Sequence, residues 1–271
     1  MINFKTIIFT AVAITFLSAC ATSPEGRQQL KLLPSETIDS MGVQSFEAMK
    51  KETPQTDNIA IRNYVRCIAD AIIPQLPQDA QPEKWEVRVF EDDQANAFAL
   101  PGNKIGVYTG ILKYATNQDQ LAAIMGHELA HVIAEHGNER VSNSMAAEAG
   151  VTIAAIVLGT SELSSNDKAL IGAGLGLGVQ YGVLLPFSRA HESEADLIGL
   201  DLMASSGFDP RESITLWQNM AKAGGQPPEF TSTHPSNETR ITDLKSRMDK
   251  ALALQAKAHQ NNRRPACTIT Q

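Results

Sequence analysis

Residues 127–136 read His127-Glu128-Leu129-Ala130-His131-Val132-Ile133-Ala134-Glu135-His136. The first five form the pattern H-E-x-x-H. On a helix, His127 and His131 stand one turn apart and project from one face, so both imidazoles reach a single Zn²⁺. Glu128 follows directly, where its carboxylate can take a proton from the attacking water. Two histidines do not complete a catalytic zinc site, which usually has three protein ligands and one open position.

The third ligand is sought about sixty residues on, in His191-Glu192-Ser193-Glu194-Ala195-Asp196-Leu197-Ile198-Gly199. The stretch reads as a helix running to Gly207, with Leu197, Leu200 and Met203 as its apolar positions. Glu192 and Asp196 share a face at i, i+4. Glu192 is the predicted metal ligand. Asp196, one turn deeper, would accept the second ring N–H of a zinc-binding histidine and fix its tautomer. Glu194 and His191 stay open as alternative ligands.

Outward from these motifs, residues 35–51 and Asp57 to Ile73 read as amphipathic helices, the second with Ile61, Val65, Ile68 and Ile72 in one stripe. Trp85 to Val89 alternates as a strand. Ala97–Leu100 and Ile105–Thr109 read as two strands joined by the turn Pro101-Gly102-Asn103. Thr116, with Asp119 three residues on, predicts the start of the zinc helix, and Gly137 its left-handed cap. Residues 142–187 hold two apolar pieces, 149–158 and 170–185. They read as a helical hairpin beside the site, either touching lipid or buried as a plain helix pair. Asp209-Pro210 opens a further helix. Ser236-Asn237 opens the last one, with Ile241, Leu244, Met248 and Leu252 inward. The segment after Lys257 reads as polar and loose.

Together these stretches resemble the gluzincin metalloproteases, and more narrowly the HtpX-type and CAAX-prenyl-protease-type family. Asn96 to Gly102 with Ile105 to Gly110 looks like the family's strand hairpin. Glu194-Ala195-Asp196 with Gly199 looks like its third-ligand helix. Thr233-His234-Pro235 with Arg240 looks like its C-terminal motif. Within the family the chain looks most like the lipoprotein, LoiP-like members. The resemblance implies an α+β fold: a mainly helical zincin-type domain with a small antiparallel sheet next to the active-site helix. It also implies one Zn²⁺ per chain and a role for His234 as oxyanion donor or as fourth zinc ligand. Arg240 would then position His234 or pair with an acidic neighbour. Tyr181 is a weaker oxyanion candidate. His136 reads as a helix-dipole partner, Glu135 as a support for His131, and His259 as without a role.

The leader has Lys5 and an apolar run from Ile7 to Leu17, too short for a permanent span. It ends in Leu17-Ser18-Ala19-Cys20, which looks like a bacterial lipobox with Cys20 lipidated. This predicts a signal peptide over 1–19, a lipidated linker over 20–34, a protease domain over 35–258 and a polar tail over 259–271. With Ala21 after Cys20, the expected location is the bacterial outer membrane, facing the periplasm. Cys67 and Cys267 remain of three cysteines. In an oxidising compartment they are predicted to form a disulfide, with two separate buried thiols as the alternative. A net charge of −7 and no basic stripe argue against nucleic acid as a partner.

The functional expectation is a zinc endopeptidase hydrolysing unfolded or misassembled envelope proteins. An edge strand in 96–109 would hold the extended substrate. The competing reading is an envelope chaperone or assembly lipoprotein with a latent zinc site, against which an intact Glu128 speaks. Zinc amidase work on peptidoglycan is disfavoured, since nothing resembles a glycan-binding module.

Overall fold

A computed structural model describes residues 20–80, 84–157, 187–222, 230, 234 and 238–269. A short hairpin comes first, β1 (Cys20–Thr22) and β2 (Gln28–Leu30), followed by helices α1 (Ser35–Glu52) and α2 (Ile59–Ile72). Strands β3 (Glu86–Phe90), β4 (Ala97–Leu100) and β5 (Lys104–Tyr108) lead into α3 (Gln118–Ile133) and α4 (His136–Val157). Helices α5 (Arg189–Ser205), α6 (Glu212–Lys222) and α7 (Glu238–Gln260) follow. The expected α+β, mainly helical zincin-type architecture is what the chain adopts.

Helix α3 carries the H-E-x-x-H motif, and Gln120 to His131 are all buried. A helix enclosed on every side needs small residues where a neighbour crosses it. Gly126 and Gly199 supply them. A Cβ on Gly126 would stand 2.8 Å from the Gly199 carbonyl oxygen, and one on Gly199 would stand 2.7 Å from the His127 amide nitrogen. The two backbones therefore touch, with α5 laid against α3 directly beside the first histidine. Glu192 lies about two turns before Gly199 on the same face of α5, so the crossing sets its distance from His127 and His131. Asn117 caps α3 by accepting the Gln120 amide at 2.9 Å, while the Gln120 side chain returns to the Thr116 amide at 2.9 Å. The cap is thus one residue beyond the predicted Thr116. At the other end Glu135, at φ 49°, makes the left-handed turn predicted for Gly137, which lies inside α4.

The three-stranded sheet is mixed rather than wholly antiparallel. β4 and β5 form the predicted antiparallel hairpin, but β3 pairs with β5 in parallel, giving the order β3-β5-β4. Alternation along a strand specifies its buried face and not its partner, so sequence alone did not fix the pairing. Gly102, at φ 77°, makes the hairpin turn, and its amide is held by the Asp39 carboxylate of α1 at 2.9 Å. β4 is one of the two edge strands of this sheet, and it packs against α3. Phe46 of α1 packs with Phe90, Phe98 and Tyr108 of the sheet in a cluster of edge-on and stacked rings. The main core lies between α2, the other face of the sheet, α3, α5 and α7, and includes Val65, Ile68 and Ile72 of the predicted stripe.

Both ends of the described chain are tied down. The stretch predicted as a linker holds the β1–β2 hairpin, which Arg27 and Gln29 fasten to Glu139, Glu194 and the Ala134 carbonyl. The segment predicted as loose is docked as well. His259 meets the Gly207 carbonyl at 2.9 Å, and Gln118 at the start of α3 bonds the backbone of Pro265 and Cys267. Cys267 is joined to Cys67 of α2 across 200 residues, the predicted disulfide. A crosslink over such a loop contributes roughly 5 kcal/mol by loss of denatured-state entropy. Helix α6 begins at Glu212, just after the turn around Pro210. The second apolar piece of 142–187, Tyr181 and Ser236-Asn237 lie outside the described residues.

The helix crossing gives a direct test. Gly199→Ala inserts a methyl group between two touching backbones. It is expected to cost about 1–3 kcal/mol in urea unfolding and to weaken zinc binding in competition with a chelator.

Candidate active site

Four side chains converge beneath the sheet edge: His127 and His131 from α3, Glu192 from α5, and His234 from the segment before α7. One nitrogen or carboxylate oxygen from each lies within 4.8 Å of the others, and all four residues are buried. His127 Nε2 is 3.1 Å from His131 Nε2 and 3.2 Å from His234 Nδ1. Glu192 lies 3.4 Å from His127 Nε2, 3.5 Å from His131 Nε2 and 3.1 Å from His234 Nδ1.

The far side of each α3 histidine decides what the near side offers. His127 Nδ1 faces the Asp196 carboxylate at 3.0 Å, so its proton sits there and Nε2 presents a lone pair. His131 Nδ1 faces His136 Nδ1 at 2.8 Å, which leaves its Nε2 pointing at the same spot. Two lone pairs and a carboxylate aimed at one another from 3 to 4 Å repel unless a cation lies between them. Imidazole nitrogens with a carboxylate form a donor set suited to zinc.

Charge around the group is balanced by Arg240, which is 1% exposed. Its Nε and Nη2 fork onto Asp196 at 2.6 and 2.7 Å, and its Nη1 lies 2.8 Å from Glu192. Its guanidinium also lies 3.9 Å over the Trp217 ring. Burial opposes ionisation of Asp196, but Arg240 and His127 outweigh it and hold the carboxyl below its ordinary range. Burial opposes ionisation of Glu192 as well, and the three imidazoles overcome it. Glu128 differs. Burial raises its proton affinity, and its Oε1 has no hydrogen-bond partner, with His234 Nε2 3.3 Å away. Glu128 also accepts the backbone N–H of Ala99, which ties it to the edge strand.

Sequence reasoning brought together the residues that meet here: His127, Glu128, His131, Glu192, Asp196, His234 and Arg240. The two alternative third ligands point elsewhere. Glu194 binds His136 and Arg27, and His191 pairs with Glu139 at 3.1 Å. The roles of Glu135 and His136 are exchanged. His136 opens α4 and supports His131, whereas Glu135 turns outward to Lys31 at 2.6 Å. Phe187, which the sequence did not single out, stacks on His131 at 3.9 Å and covers the group.

A mainly helical domain with an edge strand beside a buried H-E-x-x-H helix and a glutamate from a second helix defines the zincin class of metallopeptidase. The sequence comparison specifies this further. Residues 61–248 match the profile of Peptidase family M48, and the chain belongs to that family.

Among its relatives, the mitochondrial metalloendopeptidase OMA1 of Schizosaccharomyces pombe is 40% identical over 171 residues, which cover 62% of this chain and 48% of that one. OMA1 of Bos taurus is 29% identical over 262 residues, 92% of this chain and 49% of that one. The beta-barrel assembly-enhancing protease of Escherichia coli K12 is 26% identical over 247 residues, 88% of this chain and 50% of that one. The chain thus spans about half the length of each. These names do not single out the HtpX-type, CAAX-type or LoiP-like subgroup. They also correct the expected bacterial outer-membrane location, because the OMA1 relatives are mitochondrial enzymes of eukaryotes. A short apolar leader with one lysine is not by itself an address. Among the described residues, no helix is long and apolar enough to cross a membrane.

Arg240→Met keeps the bulk of the side chain and strips the charge from between two buried carboxylates. It is expected to destabilise the metal-free chain by about 3–5 kcal/mol in equilibrium urea unfolding.

Proposed function

We propose that the chain is a zinc-dependent endopeptidase that hydrolyses unfolded or misassembled proteins, with His127, His131 and Glu192 as zinc ligands. The observation that carries this reading is Glu128, a buried carboxylate beside the ligand group whose Oε1 accepts no hydrogen bond and faces His234 Nε2 at 3.3 Å. Bound zinc supplies a Lewis acid that polarises a peptide carbonyl and acidifies water. Glu128 takes the proton of the attacking water and returns it to the leaving nitrogen. Its raised proton affinity suits both halves of that transfer. Asp196 fixes the tautomer of His127, and Arg240 holds Asp196 and Glu192 in place.

β4 provides the substrate cradle. An extended chain adds to its edge through backbone hydrogen bonds, a mode that selects for local unfolding rather than for sequence. The names of the relatives, metalloendopeptidase and assembly-enhancing protease, support a protein substrate. The motif ending in Cys20 supports a lipid on that cysteine, which would hold the chain at a membrane face.

The position of His234 favours a closed resting site. Its Nδ1 stands in the ligand group and its Nε2 against Glu128, in the space that water and substrate would occupy. In this reading His234 would help His127, His131 and Glu192 to hold the ion at rest, and would keep water and substrate from Glu128.

Casein hydrolysis by the zinc-loaded chain tests both points. Glu128→Gln should bind zinc like the wild type and lose at least about 10³-fold in rate; equal rates would sink the mechanism. His234→Ala should raise the basal rate if the histidine blocks the site. A fall in kcat would assign it instead to stabilising the oxyanion.

A further inference from the structure

Behind the ligand group lies a chain of buried polar side chains that the hydrolytic reading leaves unused. It starts at His131 Nδ1, 2.8 Å from His136 Nδ1. Two ring nitrogens so close share one proton, one donating and the other accepting. A neutral His131 that offers Nε2 to a metal carries its proton on Nδ1, so His136 Nδ1 must accept. The proton of His136 then sits on Nε2, which lies 3.1 Å from Glu194 Oε2, a carboxylate oxygen that accepts it. The polarity of every link follows from the first.

The chain ends in the N-terminal hairpin. Glu194 also accepts from Arg27 Nε at 3.0 Å, from the Glu25 amide at 3.3 Å and from the Ser23 hydroxyl. The same guanidinium forks onto Glu139 at 2.6 Å for each bond. His136 is fully buried and stacks on His191 with ring centres 4.5 Å apart, so its ring is not free to turn. The two zinc-helix histidines are thus supported differently. His127 leans on a carboxylate, whereas His131 leans on an imidazole with the carboxylate one residue further out. That spacing keeps a further negative charge away from a group that already holds Glu128, Glu192 and Asp196 beside the guanidinium of Arg240.

We propose that His136 is a positioning residue for the metal site. It holds His131 in the Nδ1–H tautomer and aims its Nε2 at the zinc, and it is anchored in turn by Glu194 and, through Arg27, by the β1–β2 hairpin. This rests on the zinc reading above and adds a support that the H-E-x-x-H pattern does not contain.

The test compares two polar replacements in the full chain. His136→Asn puts an amide oxygen near the Nδ1 position, whereas His136→Gln carries its amide out toward Nε2. Zinc affinity is measured by chelator competition, and ligand geometry by the visible absorption of the cobalt-substituted protein. The expected result is that Asn binds zinc within about threefold of wild type, while Gln binds about 10–100-fold more weakly with an altered cobalt spectrum. Equal behaviour of the two variants, whether both like wild type or both impaired, would overturn the proposal.

A second measurement needs no variant: ring-nitrogen correlation NMR on the zinc-loaded wild type. It should show His131 protonated at Nδ1 and neutral His136 protonated at Nε2; any other pair of tautomers rejects the assignment. A wild-type chain that takes up no zinc would overturn the zinc reading and this inference with it, whereas zinc binding without the Asn–Gln difference overturns this inference alone.

Discussion

The backbone contact between Gly126 and Gly199 governs the rest of the structure. Two helices that touch along their main chains have no slack for side chains to take up. The ligand from α5 is therefore placed by the crossing itself, not by a flexible side chain reaching for the metal. The enclosure of α3 follows: a helix carrying two histidines and a glutamate is buried from Gln120 to His131, with the sheet on one side and α5 on another. Such burial is tolerated because nearly every polar group on the helix has a named partner.

Burying this much charge creates an electrostatic problem with a layered answer. Glu192 and Asp196 face Arg240, and Glu194 and Glu139 face Arg27. Each arginine spans two carboxylates with the fork geometry that a lysine lacks. One layer encloses the ligand group and the other lies a histidine further out. Glu128 stands apart from both: no arginine forks onto its carboxylate, and burial raises its proton affinity while its neighbours are held low.

How much of this was legible from the sequence depended on the distance over which each signal acts. H-E-x-x-H and the i, i+4 pair Glu192–Asp196 are local, since helix geometry alone aims them. The resemblance supplied His234 and Arg240, which nothing local would have joined to residues about a hundred positions earlier. The roles of Glu135 and His136 were misread because they depend on where α3 stops. A one-residue left-handed turn at Glu135 rather than Gly137 swings His136 inward and Glu135 out. The mixed sheet and the docking of both ends were illegible for a related reason. A strand's alternation, a short polar hairpin or a tail does not say which surface will receive it.

The order in which the site's parts occur along the chain has a consequence for synthesis. His127 and His131 emerge long before Arg240, the cation that makes the burial of Glu192 and Asp196 tolerable. Until α7 docks, those carboxylates have reason to stay in water, and the ligand group cannot close around an ion. In a partly made chain the two carboxylates of α5 still lack their arginine. The ligand group is completed last, by the helix that is made last.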